Sequence, residues 1–203
     1  MPSPIEKQSW ILTALAEQEL RLLRYALRLV REEHAARDVV QHAFLRLCEE
    51  NPETFSEGPA KWLFTVVRHR AMDWLRRTGR TQEGANCDSP ADEQVSEEAC
   101  PAVQAEQREL WAFVRTKIDR LPPAQQEALQ LWSEDWSYAH MAEITGRTSG
   151  ELRVSVHRAL AALRACPELR QEVEQRTGGA HDAPSPRIVS PARSSQAGIR
   201  SVP

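Results

Sequence analysis

Apolar side chains recur at helical spacing through the first eighty residues. Residues 5–31 are leucine-rich with no internal Gly or Pro, and Leu15, Leu22 and Leu29 form a candidate core face. A second helix is expected over Ala36–Glu50, where Val40, Phe44 and Leu47 stand at i, i+4 and i+7. Asn51-Pro52 stops it, because the proline ring disfavours helix at the preceding residue. The stretch PETFSEGPA then reads as a loop, and Lys61–Arg77 as a third helix with Leu63, Val67, Ala71 and Trp74 on its buried face. Arg68, His69, Arg70, Arg76, Arg77 and the following Arg80 are left to its other faces.

The pattern resumes near Val103. Leu110, Val114 and Ile118 give one helix a buried face, and Leu121-Pro122-Pro123 starts another that Leu129, Leu131 and Trp132 pack. Residues 136–163 then read as two short amphipathic helices around a glycine turn, the form of a helix-turn-helix. Ser137 is the expected N-cap of the first, and Gly146 supplies the left-handed residue that ends it. Thr148 and Glu151 stand three apart, as in a capping box. Leu152, Val156, Ala159 and Leu163 form the inward stripe of the second helix, which turns Glu151, Val154, His157, Arg158 and Ala161 outward. Such a helix lies in the DNA major groove, although an ordinary helical hairpin has the same local pattern.

Charge divides this all-α chain into two small helical domains. The net charge of −3 looks wrong for a nucleic-acid binder, but it is concentrated in one segment. Residues 1–80 carry 13 Lys/Arg against 11 Asp/Glu, whereas residues 81–107 carry seven acids and no Lys or Arg. This stretch is also rich in Gly, Pro, Ser and Asn, so a solvated linker is expected over 81–104. Domains are accordingly expected over 1–80 and 105–176. The Pro/Ser/Gly/Arg-rich remainder, 177–203, is expected to be a disordered tail.

Candidate chemistry points to binding rather than catalysis. The six histidines lack metal-ligand spacing, and no nucleophile-elbow, phosphate-loop or dinucleotide glycine pattern occurs, so neither an enzyme nor a cofactor or metal site is expected. Cys48, Cys87, Cys100 and Cys166 show no CxxC spacing, which fits a reducing cytoplasm. No apolar run approaches a membrane span, and the N-terminus MPSPIEKQSW has no signal-peptide core. In contrast, the third helix interleaves arginines with Trp62, Phe64 and Trp74, a combination suited to melted nucleic acid: cations neutralise phosphates and rings stack on bases. For Trp74, on the apolar stripe, a core position is the better reading.

These features follow one another in a specific order. A D-x-x-Q-x-x-F-L helix precedes a loop and a W-L-x-x-x-x-R-x-x-x-x-D-x-L-R-R helix. An acidic linker, L-P, and a helix-turn-helix ending V-H-R-A come next. Over residues 10–80 and 105–166 the chain resembles the bacterial sigma factors of the sigma-70 family, in particular the small extracytoplasmic-function (ECF) group. The resemblance implies a protein that binds core RNA polymerase and directs promoter recognition, DNA melting and transcription initiation. Its implied partners are the β′ clamp helices, the β flap, promoter DNA and an anti-sigma factor.

Roles follow by position. The resemblance places Asp38 and Gln41 against the β′ clamp, with Arg37 and His42 sharing that surface; His42 stands where the family usually has Glu. Loop residues Thr54–Gly58 and helix residues Arg68, His69 and Arg70 hold the positions that meet the −10 element, where a base is extruded from the stack. Arg76 and Arg77 match a basic pair that holds phosphates. Asp73 is also a family position, with a structural salt bridge as its alternative role. In the second domain Thr148, Ser149, Glu151, Arg153, Val154, His157 and Arg158 are the implied −35 contacts, Thr148 and Ser149 meeting phosphates at a helix N-terminus. Relatives commonly carry Lys, Ser and Arg at the positions of Arg153, Val154 and Ser155, and another Arg at Leu160. Fewer cations imply weaker −35 recognition here. Two other functions fit the same residues: a stand-alone helix-turn-helix regulator, and a sigma-like interaction module without promoter recognition.

Overall fold

The structure, a computed structural model, describes residues 4–79 and 101–177. Most of the expected linker and nearly all of the expected tail lie outside the described residues. Eight α-helices are described, with a single 3-10 turn between the second and third: α1 (Pro4–Val30), α2 (Glu33–Glu49), α3 (Ala60–Thr78), α4 (Pro101–Ile118), α5 (Pro123–Ser133), α6 (Tyr138–Thr145), α7 (Ser149–Ala165) and α8 (Pro167–Thr177). No strand occurs among the described residues.

Helices α1, α2 and α3 pack pairwise into one unit. Its core is Leu22, Tyr25, Ala26 and Leu29 of α1, Ala36, Val39, Ala43 and Leu47 of α2, and Leu63, Phe64, Val67 and Ala71 of α3. Each fully buried large side chain contributes about 1.5–3 kcal/mol relative to exposure. Leu15 is only half-buried, since the inward stripe of α1 begins with Ala14 and Gln18. Trp74 and Phe44 are likewise half-buried and pack against the core edge.

The expected α1–α2 boundary was misplaced by about three residues. The chain turns at Arg31, whose φ of 55° is left-handed, and α2 starts at Glu33 rather than Ala36. No glycine or proline marks this turn. Farther on, Asn51 accepts a hydrogen bond from Glu53 N–H at 3.2 Å and caps the 3-10 turn Pro52–Thr54.

In the second unit α7 lies against α4, α5, α6 and α8. Leu131, Met141, Ile144, Leu152 and Val156 fill its centre, while Leu121, Leu129 and Ala159 form a smaller cluster under Ile118 and Leu163. Leu110, Val114 and Ile118 are half-buried rather than core. Helix α4 begins at Pro101, inside the span expected to be linker, and α8 is a helix that no apolar stripe announced. An ion pair from Lys117 Nζ to Glu168 Oε2 at 3.4 Å ties α8 to α4. The Cys166 thiol also donates to Glu168, and these contacts, the thiol first, hold the Glu168 carboxyl down at about 2.

The helix-turn-helix forms from its capping residues. Ser137 Oγ accepts from His140 N–H at 3.2 Å, and Gly146 ends α6 at φ 68°. Thr148 and Glu151 close a reciprocal capping box on α7: Glu151 N–H donates to Thr148 Oγ1 at 3.3 Å, and Thr148 N–H donates to Glu151 Oε2 at 2.8 Å. Between α5 and α6, Asp135 takes a left-handed φ of 60°. Its N–H donates to Trp132 O and that of Trp136 to Leu131 O, the pairing of a Schellman turn. This turn swings Trp136 back toward the first unit.

The two units pack on each other, α3 against α6 and α1 against α5, so that one apolar core runs through both.

Candidate nucleic-acid interface

Helix α2 offers one polar face. Arg37, Asp38 and Gln41 are exposed, His42 is half-buried, and Leu45 stands beside them at 59% exposure. Arg37 pairs with Glu33 one turn earlier. The inward residues Val39, Val40 and Ala43 fix this orientation, because a helix with that stripe buried turns positions 37, 38, 41 and 45 to solvent.

Helices α2 and α3 enclose a groove of roughly 320 Å³ lined by His42, Arg46, Glu50, Trp62, Val66, His69, Arg70 and Asp73. His69 and Arg70 of the expected −10 set therefore line the same groove as His42 of the expected polymerase set. Arg46, Glu50 and Val66 were not anticipated here. Their spacing carries the signal, since 42 and 46 on α2, with 50 at its C-cap, and 62, 66, 69, 70 and 73 on α3 each follow one helical stripe. At the end of α3, Arg76 and Arg77 are exposed and lean on Asp73: Arg76 Nη2 lies 2.7 Å from Asp73 Oδ1, and Arg77 Nε donates to Asp73 O at 3.2 Å. In this state Asp73 makes the salt bridge that was its alternative role.

Arg68 points elsewhere. Its Nε lies 2.7 Å from Glu127 Oε1 on α5, and the Tyr25 hydroxyl donates to the same oxygen at 2.9 Å. Burial opposes the charge on Arg68, but the hydrogen bond and the charge of Glu127 outweigh it and hold the guanidinium above its usual pKa. Burial, then the adjacent Glu127 charge, pushes the Tyr25 phenol well up. The expected −10 residues are thus split, with Arg68 facing the second unit and His69 and Arg70 facing the groove.

The aromatic residues also divide. Phe64 is fully buried, 5.1 Å from Tyr25 and 5.4 Å from Trp136 between ring centroids. It is a packing residue here, not a stacking platform, because the interface with the second unit covers it. Trp62 remains half-buried at the groove, edge-on to Phe55, which stacks on Trp10. In the preceding loop, Thr54, Ser56, Glu57 and Gly58 are exposed.

On α7, Thr148, Glu151, Arg153, Val154, His157 and Arg158 are exposed and Ser149 is half-buried. Val154 is 48% exposed, a large apolar side chain on an otherwise polar face. The Arg153 guanidinium lies 5.3 Å from the centre of the Tyr138 ring. Glu151 is committed to the capping box, and its hydrogen bonds with Thr148 lower its pKa. Ser155, behind this face, accepts from Arg147 Nη2 at 2.8 Å.

Comparison with known proteins joins these faces. Residues 15–81 match Sigma-70 region 2, and residues 114–163 match Sigma-70, region 4. The ECF RNA polymerase sigma factor SigL of Mycobacterium tuberculosis is 32% identical over 161 residues, 76% of this chain and 87% of that protein. The chain belongs to the ECF sigma factors of the sigma-70 family. The ECF RNA polymerase sigma factor SigE of Mycolicibacterium smegmatis is 30% identical over 149 residues, which span 71% of this chain and 56% of that protein. SigJ of Mycobacterium tuberculosis, also an ECF RNA polymerase sigma factor, is 30% identical over 154 residues, 48% of its length. This sigma factor therefore carries region 2 on α1–α3 and region 4 on α4–α7. Both regions are matched, which disfavours a stand-alone regulator or an interaction module. Among the described residues no helix is long and apolar enough to cross a membrane, and no group of three or more His, Cys, Asp or Glu could hold a metal ion.

Proposed function

We propose that this sigma factor docks on core RNA polymerase through the α2 face of Arg37, Asp38, Gln41 and His42. From there it engages the −10 element through His69, Arg70, Arg76 and Arg77, with Arg68 joining them once its contact with Glu127 is released. The −35 element is read by α7. Thr148 and Ser149 sit at its N-terminus, where free N–H groups favour phosphate, and Arg153, Val154, His157 and Arg158 face the groove. The β flap and an anti-sigma factor complete the set of partners. No enzymatic reaction, cofactor or metal is assigned, and the site of action is the bacterial cytoplasm, where the polymerase works.

The observation that supports this most is the separation of three open faces: the polar side of α2, the α2–α3 groove and the outer side of α7. Each belongs to a different step, namely docking, strand capture and duplex recognition. Phosphate contacts by arginine give affinity, and base contacts on α7 give selectivity. The test is promoter-directed run-off transcription with purified core polymerase. A defined start site that depends on this chain supports the assignment; binding to duplex DNA without any polymerase dependence overturns it.

A further inference from the structure

The two arginines that flank the first turn of α7 are held in different ways. Arg147 donates to Ala124 O at 3.1 Å and to Ser155 Oγ at 2.8 Å, which commits it within the second unit. Arg153 is exposed on the outer face, and its guanidinium carbon lies 5.3 Å from the centre of the Tyr138 ring. Among the described residues Arg153 forms no ion pair and no hydrogen bond, so this ring is what holds it. The nearby carboxylate of Glu151 is turned back into the capping box and does not compete for it.

A ring and a carboxylate hold a guanidinium with different consequences. A carboxylate neutralises the charge and must be displaced before a phosphate takes its place, as for Arg68 with Glu127 and Arg76 with Asp73. A ring attracts the cation through its quadrupole and leaves the full charge available. It also restricts a long side chain with many rotamers, so less freedom is lost when an anion arrives.

Tyr138 has the placement for this. It is the first residue of α6 and is half-buried against the core. Ser149 Oγ donates to Tyr138 O at 3.2 Å, and Arg153 follows Ser149 by one turn on the same side of α7. The backbone of Tyr138 thus fixes the start of α7 while its ring fixes a side chain one turn on. Gly150 leaves the approach open, since a Cβ there would meet nothing within 4 Å. In a helix-turn-helix the second helix enters the major groove and the first crosses the DNA backbone. An arginine of the second helix laid over the start of the first is therefore held where that backbone runs, not at the base edges.

Building on the reading of α7 as the −35 helix, we infer that Tyr138 is a positioning residue for DNA: its ring holds Arg153, still fully charged, toward a backbone phosphate of the −35 element. The contact is independent of base sequence. Val154, the next residue and exposed on the outer face, is left to meet the bases. A cation set in place beforehand offsets part of what a recognition helix with few cations lacks.

A double-mutant cycle in the full-length chain, bound to core polymerase, tests this. The parent holoenzyme first selects a promoter from a library randomised at the −35 element, and closed-complex affinity is then measured on it. Tyr138→Leu is expected to weaken binding about two- to fivefold, and Arg153→Ala about tenfold. Both losses are expected to be even across −35 sequences, with the salt dependence lowered by up to about one counter-ion. Tyr138→Phe, which keeps the ring, is expected to match the parent. In the Arg153→Ala background, Tyr138→Leu is expected to cost nothing further. Equal losses in both backgrounds would make Tyr138 a packing residue and overturn the inference. An Arg153→Ala chain that binds like the parent overturns it as well. So does a Tyr138→Phe chain as weak as Tyr138→Leu, because the hydroxyl and not the ring would then carry the contact. If Tyr138→Leu fails to fold, Tyr138→Met takes its place in the cycle. A parent holoenzyme that selects no −35 sequence overturns the reading of α7 itself, and the inference with it.

Discussion

Arg68 and Glu127, from opposite halves of the sequence, meet at 2.7 Å in a partly buried ion pair, and Tyr25 completes it from a third helix. A cation whose pattern suggests DNA is thus spent, in this state, on the chain's own carboxylate. An acid with two donors on one oxygen couples the units more firmly than an exposed pair, since little water competes for it.

The phenol of Tyr25 gives this junction a pH signature. Burial, aided by the Glu127 charge, raises its pKa well above the usual tyrosine value. A proton held more tightly in the folded state stabilises that state fully below the unfolded pKa of about 10, and the contribution is lost as pH rises from there toward the folded value. Near-ultraviolet titration is expected to show the Tyr25 phenol ionising well above the usual tyrosine range. Tyr25→Phe is expected to cost about 1–2 kcal/mol at neutral pH through the lost hydrogen bond, and to remove part of the alkaline decline in melting temperature. An unchanged alkaline profile would show that Tyr25 does not carry it.

The α2 face predicts a pure binding defect. Asp38 and Gln41 are exposed and sit opposite the buried Val39, Val40 and Ala43. Asp38→Ala combined with Gln41→Ala is therefore expected to leave helicity and melting temperature within about 0.5 kcal/mol of the parent. Affinity for core polymerase is expected to fall by about 1–2 kcal/mol, roughly five- to thirtyfold. Titration of labelled core enzyme measures it, and unaltered affinity would remove the α2 assignment.

What the sequence could and could not disclose follows from how local each signal is. The caps at Ser137, Gly146 and Thr148–Glu151 are interactions within four residues, and all three formed as the residue types required. The stripe Leu152, Val156, Ala159 was equally legible, because a helix with one inward face leaves no choice for the rest. The turn at Arg31 was not, since an arginine in the left-handed region carries no compositional mark and its guanidinium is steadied by Gln126 from the other unit. The covering of Phe64 and Arg68 is illegible in the sequence for a related reason. One helix's pattern cannot say which of its faces a distant segment will cover, and here α5 and α6 cover the side that looked free. The groove at the expected −10 site needs two helices in register, so its α3 half was visible and its α2 half, Arg46 and Glu50, was not.

The groove carries its own prediction. His69 and Arg70 face it, whereas Arg68 faces region 4. His69→Ala with Arg70→Ala is expected to reduce open complexes more than closed ones, because the melted strand depends on this groove and initial duplex binding also draws on α7. Permanganate reactivity of the −10 thymines, set beside closed-complex gel shifts, measures the two. An equal loss of both would place these residues in general phosphate binding.

The recognition helix separates capping from reading. Glu151 closes the box with Thr148, and its carboxylate is held ionised below its usual pKa by those hydrogen bonds. The stabilisation is present above the unfolded carboxylate pKa and lost as pH falls through the lower folded value. Glu151→Ala is therefore expected to lower the melting temperature at neutral pH, by less below pH 4, and to leave the selected −35 sequence unchanged. Val154 has no such duty. Exposed on the outer face among polar neighbours, it has the chemistry to meet a thymine methyl. Val154→Ala is expected to keep the melting temperature and relax one −35 position by about 1 kcal/mol. Arg158→Ala, in contrast, is expected to weaken binding evenly across sequences and flatten its salt dependence by about one counter-ion. Selection from a randomised −35 library with each variant, alongside its melting curve, distinguishes the three. If Glu151→Ala shifts the selected sequence with no change in stability, the carboxylate reads a base after all, and the capping box seen in the free chain must open on DNA.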